Sequence, residues 1–265
     1  MANDTRTAPA ATLAPLTPET LARIDSPGPR YTSYPTADRF SEAFGEAEYI
    51  AALAQRRQSG LTQPMLQPMS IYVHLPFCAS PCYFCACNKI ITRHHEVVEP
   101  YLDTLRHEMA LNAQHLGARQ AVSQLHLGGG TPTFLSDAQL SRLMADLREH
   151  FDVQDDAELS IEVDPRTVDA ARLAHLAALG FNRLSFGVQD VEPRVQHAVH
   201  RVQPVAQTEA LVAAARRAGF VSINVDLIYG LPLQTTESLS ETVRTVCGWR
   251  PDRVALYAYA HLPER

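Results

Sequence analysis

The sequence predicts an α/β fold, a partial (β/α)6 barrel with an N-terminal arm that is truncated after its sixth strand. Short apolar segments alternate six times with amphipathic helical segments, which indicates a parallel sheet with right-handed crossovers. A doubly wound sheet and a barrel both fit this alternation. The unusual residues fall at the C-terminal ends of consecutive predicted strands, and chemistry collected at that rim favours the barrel.

Six strands are predicted from short segments rich in Val, Ile, Leu and Tyr, as buried parallel strands are. They are Ser70–Phe77, Ser123–Leu127, Glu158–Asp164, Arg183–Gln189, Ser222–Tyr229 and Arg253–Tyr259. Ser136 and Gln139 form a predicted capping box at the start of one intervening helix. Gly180 and Gly219 occupy positions typical of helix C-terminal caps, and Cys247 is predicted to be a small core residue of the last helix.

The chain is predicted to have three parts. Residues 1–27 are rich in Ala, Thr and Pro and are expected to be disordered. Residues 28–69 form an arm with a Pro-bounded segment and a short helix from Glu46 to Gln58, and residues 70–265 form the barrel core. No helix is predicted after the sixth strand, so we expect a fragment of a longer protein whose C-terminal domain is absent. We expect this fragment alone to aggregate or to turn over no substrate.

Composition limits the compartment and the partners. The net charge is −6 without a basic stripe, which argues against nucleic acid as a partner. Neither a signal peptide nor a bilayer-spanning segment is predicted, so we expect a cytoplasmic protein with no membrane partner and with reduced thiols. An anionic substrate would need local basic residues. The candidates are Arg30 and Lys89, which is the only lysine.

The cysteine spacing carries most of the functional prediction. Cys78, Cys82 and Cys85 form a C-x3-C-x2-C loop, and three such thiolates can hold three corners of a [4Fe–4S] cube. The fourth corner would lack a protein ligand, and open coordination sites perform chemistry whereas closed ones hold structure.

Two other interpretations of the cysteines stay open. A zinc site could use Cys78, Cys82, Cys85 and Cys87, although structural zinc usually takes two well-separated knuckles. A disulfide would require an oxidising compartment.

Polar residues and glycines mark the ends of the other predicted strands. The Gly128–Thr131 segment lacks side chains where a backbone could approach a ligand closely, although it fits neither a dinucleotide fingerprint nor a phosphate loop. Glu162 and Asp164 are predicted on one side of a strand. Three further polar residues in apolar strands need partners that a ligand could supply, and Arg201 could pair with a carboxylate. The three are Gln189, Asp190 and Asp226.

Eight motifs between Pro29 and Pro263 resemble one known family. They are Arg30–Thr36, Tyr72–Cys78, Cys82–Lys89, Gly128–Pro132, Ile161–Pro165, Asn182–Ser185, Gly187–Asp190 and Asp226–Pro232. Together they resemble the oxygen-independent coproporphyrinogen III oxidases (dehydrogenases), which are radical S-adenosylmethionine (SAM) enzymes. Ala86 stands where relatives often have glycine.

The resemblance implies a radical SAM barrel with a particular set of site residues. Cys78, Cys82 and Cys85 would ligate a [4Fe–4S] cluster whose fourth iron binds SAM, and Cys87 would lie nearby as a non-ligand. Two SAM molecules are expected, and Tyr72 and His74 are the expected catalytic residues. The expected SAM contacts are Tyr72, Phe84, Gly129, Gly130, Thr131, Glu162, Gln189, Arg201, Asp226 and Ala260.

The resemblance also implies a reaction. A 5′-deoxyadenosyl radical would remove hydrogen from two propionate side chains of coproporphyrinogen III in turn, giving the vinyl groups of protoporphyrinogen IX in anaerobic haem synthesis. An electron donor and an electron acceptor are implied partners, and the full-length protein is expected to be a monomer. The alternative is a related haem-binding or trafficking protein that keeps the cluster but performs no decarboxylation.

Overall fold

The structure, a computed structural model, describes residues 17–24, 36–62, 68–117 and 119–261. The chain divides into two compact units, Met1–Tyr49 and Ile50–Arg265. The first unit contains helix α1 (Pro18–Ile24) and a 3-10 turn at Ala37–Arg39. Helix α1 lies within the range 1–27 for which disorder is predicted, whereas residues 1–16 and 25–27, like Arg30, lie outside the described residues.

Six parallel strands form one sheet in the second unit. They are β1 (Met69–Leu75), β4 (Ala121–Gly129), β5 (Asp152–Val163), β6 (Arg183–Gln189), β7 (Ser222–Tyr229) and β8 (Arg253–Ala258), side by side in that order. Each strand lies beside the next one along the chain, as in a (β/α) barrel, whereas a doubly wound sheet reverses its strand order. The predicted α/β fold with six parallel strands is confirmed. Two short strands, β2 (Phe77–Cys78) and β3 (Ile90–Ile91), pair separately in parallel.

Helices connect the strands, and local sequence signals mark the start of one helix and the end of another. The remaining helices are α2 (Glu46–Thr62), α3 (Val98–Leu116), α4 (Asp137–His150), α5 (Ala170–Ala178), α6 (Pro193–Ala198), α7 (Val205–Ala218) and α8 (Thr236–Gly248). The predicted capping box is confirmed, because Ser136 accepts the N–H of Gln139 at the start of α4. Gly219 ends α7 with φ +96°, a left-handed conformation that glycine adopts without steric cost.

Several predicted boundaries are wrong. The first strand ends at Leu75 rather than Phe77, because Pro76 has no N–H to donate to the ladder. The second strand includes Gly128 and Gly129, which were predicted to follow it, and the third begins six residues earlier than predicted, at Asp152.

Three smaller differences concern the ends of helices and of the last strand. Helix α2 continues to Thr62 instead of Gln58, and β8 ends at Ala258 instead of Tyr259. Cys247 is exposed rather than part of the core, because α8 turns Thr242 and Val246 inward.

The main apolar core lies between the sheet and its helices. In β1 and in β4 to β7, the strand residues that face the helices are buried, and they alternate with residues that face the other side. These core residues include Leu75, Leu127, Ile161, Phe186 and Val225. The opposite face of the sheet is free to carry the polar side chains of a site. Among the described residues, none of the helices has the length and apolar character needed to cross a bilayer.

Candidate active site

A cavity of about 160 Å³ lies at the C-terminal ends of strands β4 to β7, beside the cysteine loop. All three predicted cluster ligands line it: Cys78, Cys82 and Cys85. Eight of the ten predicted SAM contacts also line it: Phe84, Gly129, Gly130, Thr131, Glu162, Gln189, Arg201 and Asp226.

The other two predicted SAM contacts lie elsewhere among the described residues. Tyr72 borders a second cavity of about 810 Å³ along the polar face of the sheet. Ala260 follows β8 and is exposed.

Backbone hydrogen bonds fix the cysteine loop against the ends of the strands. The Pro76 and Cys78 carbonyls accept the N–H groups of Ile90 and Thr92 at 2.8 and 2.9 Å. The Gly130 N–H donates to the carbonyl of Leu75 at 2.8 Å. The loop that contains the cysteines is therefore closed at its base.

Donors from three different elements point at the cysteine sulfurs. Thr131 Oγ1 donates to Cys78 Sγ at 3.4 Å. Cys82 Sγ accepts from Arg201 Nη1 at 3.4 Å and from Arg166 Nη2 at 3.6 Å. Such donors stabilise negative charge on sulfur, which a metal-bound thiolate retains.

Cys85 and Cys87 form a hydrogen-bonded pair with opposite pKa shifts. The Cys87 thiol donates to Cys85 and, together with Lys89, lowers the pKa of Cys85 to about 5. The same contact with Cys85, together with burial, raises the pKa of Cys87. Lys89 Nζ donates to the Cys85 carbonyl at 2.8 Å. Cys85 is thus the thiolate of the pair, whereas Cys87 keeps its proton.

The donor set fits an iron–sulfur cluster. In the part of the chain that is described, no three His, Cys, Asp or Glu side chains converge on a single metal position. A cube requires sulfurs arranged around a cavity, because each cysteine ligates a different iron. Cys78, Cys82 and Cys85 share such a cavity, and a hydrogen-bond donor contacts each of them.

A buried carboxylate between two guanidinium groups forms one wall of the cavity. Asp164 Oδ2 accepts from Arg166 Nη2 at 2.7 Å and from Arg201 Nη1 at 3.2 Å. Burial acts to raise the pKa of Asp164, but Arg201 and Arg166 outweigh it and lower that pKa. Arg201 also donates to the Gly187 carbonyl at 2.6 Å. The two arginines therefore occupy the oxygens of Asp164, which leaves Glu162 as the more open of the two predicted carboxylates.

A hydrogen-bonded cluster on β6 and β7 presents Asp226 to the cavity. Asp226 accepts from the Ser185 hydroxyl and from Asn224 Nδ2, both at 2.7 Å. Burial raises the pKa of Asp226 despite these donors.

The neighbouring polar residues at the end of β6 differ from each other. Gln189, with φ +69°, also lines the cavity. Asp190 is buried and finds its partners within the protein, in Thr242 and Gln234.

The two predicted catalytic residues lie behind the glycine segment, outside the lining of the smaller cavity. His74 Nε2 is 2.8 Å from the Asn88 carbonyl oxygen, which can only accept, so Nε2 carries the hydrogen. Tyr72 then donates its hydroxyl hydrogen to His74 Nδ1, at 3.0 Å. His74 thereby ties β1 to the end of the cysteine loop.

The first two of the three consecutive glycines make space for different side chains. A Cβ on Gly128 would lie 2.9 Å from Glu162 Oε1. One on Gly129, which has φ +114°, would meet the imidazole of His74 at 2.9 Å. These close approaches explain why the segment needs glycine, independently of any bound ligand.

Sequence reasoning missed two residues of the site. Arg166 contacts both Asp164 and Cys82. His126 lies 3.3 Å from Glu162. Strand alternation could have indicated His126, because it lies two residues before Gly128 on the same face of β4.

Comparison with known proteins identifies relatives of this chain. The family model of the radical SAM superfamily matches residues 72–246. Oxygen-independent coproporphyrinogen III oxidase of Pseudomonas aeruginosa is 49% identical over 247 residues, which cover 92% of this chain and 52% of that protein. The Escherichia coli protein of the same name is 52% identical over 236 residues, covering 89% and 50%. The chain thus spans about half the length of the curated relatives it matches.

This chain also superposes on solved structures of radical SAM enzymes. Coproporphyrinogen III oxidase from Escherichia coli, described as a radical SAM enzyme, superposes with a TM-score of 0.82 at 51% identity, covering 89% of this chain and 52% of that one. The radical SAM methyltransferase TsrM from Kitasatospora setae superposes with a TM-score of 0.52 at 17% identity, covering 72% and 37%. The second likeness concerns the fold alone.

Proposed function

The chain belongs to the radical SAM superfamily, and on this basis we propose that its protein converts coproporphyrinogen III to protoporphyrinogen IX. The observation that carries the proposal is the cavity shared by three cysteines, the glycine segment and three carboxylates. Its relatives of about 50% identity, named coproporphyrinogen III oxidases, support the substrate.

Cys78, Cys82 and Cys85 would hold the [4Fe–4S] cluster. When bound, the cluster and SAM supply a one-electron cleavage that yields methionine and a 5′-deoxyadenosyl radical. Thr131 and Arg201 donate to ligand sulfurs. Their contacts favour negatively charged sulfur and fix the direction in which it points.

The remaining lining residues would bind SAM. Glu162 and Asp226 present carboxylates that accept hydrogen bonds from ribose hydroxyls and from the ammonium group. The glycine segment lets the ligand approach the backbone, while Phe84 supplies an apolar surface. We assign two SAM molecules to the site, in line with the motifs.

The proposed reaction converts two propionates in turn. Each side chain loses a hydrogen atom from its β-carbon, one CO₂ and one electron, which leaves a vinyl group. The electron passes to a separate acceptor, and a separate donor reduces the cluster. The residues around the cavity position the reacting atoms, roughly 3–3.5 Å apart, and exclude water. We propose that the protein acts in the cytoplasm as a monomer.

The substrate's carboxylates need cations in a protein of net charge −6. Lys89 is engaged with the Cys85 and Cys87 carbonyls, so its principal partner is the cysteine loop. Arg30 lies outside the described residues and remains our candidate for binding a propionate.

The test is anaerobic reconstitution followed by product analysis. The whole protein to which this chain belongs is incubated with a reductant, SAM and coproporphyrinogen III, and mass spectrometry follows 5′-deoxyadenosine and the vinyl products. We expect both to form together. SAM cleavage without vinyl product, accompanied by haem binding, would favour the trafficking alternative, and a colourless protein that holds zinc would contradict the cluster.

A further inference from the structure

The Glu162 carboxylate is held at both oxygens by donors from the neighbouring strand. The Gly129 N–H donates to Oε2 at 3.2 Å. His126 Nε2 lies 3.3 Å from Oε1. The Glu162 side chain is 42% exposed and lines the smaller cavity. Each carboxylate oxygen has a second lone pair that can accept a hydrogen bond from a ligand there.

Hydrogen-bond partners determine which nitrogen of His126 carries the hydrogen. Nε2 faces a carboxylate, which can only accept, so Nε2 must donate. Nδ1 then accepts the hydroxyl hydrogen of Ser160, at 2.7 Å. This contact is shorter than the 3.3 Å from Ser160 Oγ to the Leu125 carbonyl. An imidazole with its hydrogen on Nε2 therefore satisfies Ser160, His126 and Glu162 together.

The sheet register and one glycine fix the His126 ring. Tyr72, His126 and Ser160 are direct register partners across β1, β4 and β5. The Tyr72 ring stacks on His126 with centroids 5.8 Å apart and planes 21° apart. A Cβ on Gly128 would lie 3.1 Å from His126 Nε2 and 2.9 Å from Glu162 Oε1. The absence of a side chain at Gly128 thus leaves room for the contact between them.

We propose that His126 is a positioning residue that directs the Glu162 carboxylate toward SAM. The inference rests on the proposed function, in which Glu162 accepts hydrogen bonds from SAM. A glutamate has three rotatable side-chain bonds, and holding one rotamer before the ligand arrives reduces the entropy lost on binding. His126 borders the second cavity instead of the smaller one, so it acts through Glu162.

Two substitutions separate the N–H group from the aromatic ring. His126→Phe keeps a ring against Tyr72 but removes the donor, whereas His126→Gln keeps an amide donor and loses the ring. Equilibrium dialysis of the cluster-loaded protein with labelled SAM measures the dissociation constant. Because a hydrogen bond to a charged group is at stake, we expect His126→Phe to weaken SAM binding about tenfold. We expect His126→Gln to stay within about threefold, and both variants to keep wild-type iron content.

A double-mutant cycle tests whether His126 acts through Glu162. In a Glu162→Ala background, His126→Phe should cause no further loss of SAM affinity, since the positioned group is gone. If His126→Phe reduced SAM affinity equally in the wild-type and Glu162→Ala backgrounds, the positioning role of His126 would be overturned, while the proposed function would stand. A wild-type protein that loads iron but binds no SAM would overturn the proposed function as well.

A cluster-free measurement gives an independent readout of the contact. Long-range ¹⁵N–¹H NMR distinguishes the two tautomers of a neutral histidine. We expect the Nε2–H form for His126 in the wild type and an altered spectrum in Ser160→Ala. An Nδ1–H form in the wild type would contradict the proposed direction of the hydrogen bond and overturn the inference.

Discussion

Gly130 faces Pro76 so closely that a Cβ on Gly130 would lie 2.6 Å from the Pro76 carbonyl oxygen and 2.9 Å from Cys78 Sγ. The same Pro76 carbonyl accepts the Ile90 N–H that closes the cysteine loop. The end of strand β4 and the base of this loop are therefore packed against each other through backbone atoms, which cannot move as freely as a side chain. Glycine is needed at this position for space.

Gly130→Ala should disturb the cysteine loop. The added methyl group must displace the Pro76 backbone, and overpacking of this kind costs about 1–3 kcal/mol. We expect a lower melting temperature of the cluster-free protein and less iron per chain after reconstitution. Gly248→Ala is the matched control, because a Cβ there has no atom within 4 Å. Wild-type iron loading by Gly130→Ala would show that the loop tolerates the shift.

Asp164→Asn should be strongly destabilising. Asp164 is buried between Arg166 and Arg201, and removing one partner of a buried charge cluster costs about 3 kcal/mol. Urea unfolding of the cluster-free protein at pH 7 measures this cost. Asp155→Asn, at an exposed position of β5, is the control and should change stability by less than about 0.5 kcal/mol.

The cost of Asp164→Asn should also depend on pH. The pKa of Asp164 is lowered in the folded protein, so its contribution is fully present above the unfolded-state pKa of about 3.9. The contribution is lost as the pH falls through the lower folded-state pKa. The stability difference between wild type and variant should therefore persist down to about pH 5 and narrow below about pH 4. A difference that grew on acidification would contradict this assignment.

Cys85 should be the thiolate of the Cys85–Cys87 pair. In cluster-free, reduced protein we expect its alkylation by iodoacetamide to rise with a midpoint near its pKa of about 5. Cys87→Ala removes the principal donor, so the midpoint should move up toward the ordinary thiol range, about 8.5. Peptide mass mapping across a pH series measures both. Cys247, exposed on α8, serves as an internal control whose labelling profile should be the same in both proteins.

The elements that the sequence predicted best are those bounded by local signals. Strands β6 and β7 have the predicted bounds, because each is an apolar segment that follows a turn and is ended by a local signal, Asp190 after β6 and Gly230 after β7. The first strand was predicted too long, because the apolar run continues through Phe77 beyond Pro76. The chain turns there to pair Phe77 with Ile90, a contact that hydrophobic pattern does not encode.

The spacing of the cysteines along the chain was enough to predict a ligand loop. The residues that surround this loop, however, depend on how neighbouring strands are aligned. Neither the sequence position of Arg166 nor that of His126 reveals that one contacts Cys82 and the other Glu162. Those contacts arise from the alignment of β4 with β5 and from the turn after β5. Asp164 was grouped with Glu162 by strand alternation, yet two arginines take up its oxygens. Pairings between distant segments decided each of these outcomes.

Arg166→Gln should lower the reduction potential of the cluster. Arg166 Nη2 lies 3.6 Å from Cys82 Sγ, and a positive donor at a ligand sulfur favours the reduced state, which carries more negative charge. The loss of this contact should shift the midpoint potential by on the order of 50 mV to more negative values. Potentiometric titration followed by electron paramagnetic resonance measures the shift. Arg148→Gln is the control, because Arg148 donates to the Leu179 carbonyl, away from the cysteine loop. If the Arg166→Gln protein loads iron fully and its midpoint potential is unchanged, the contact with Cys82 does not affect the cluster. Arg166 would then act only as the ion-pair partner of Asp164.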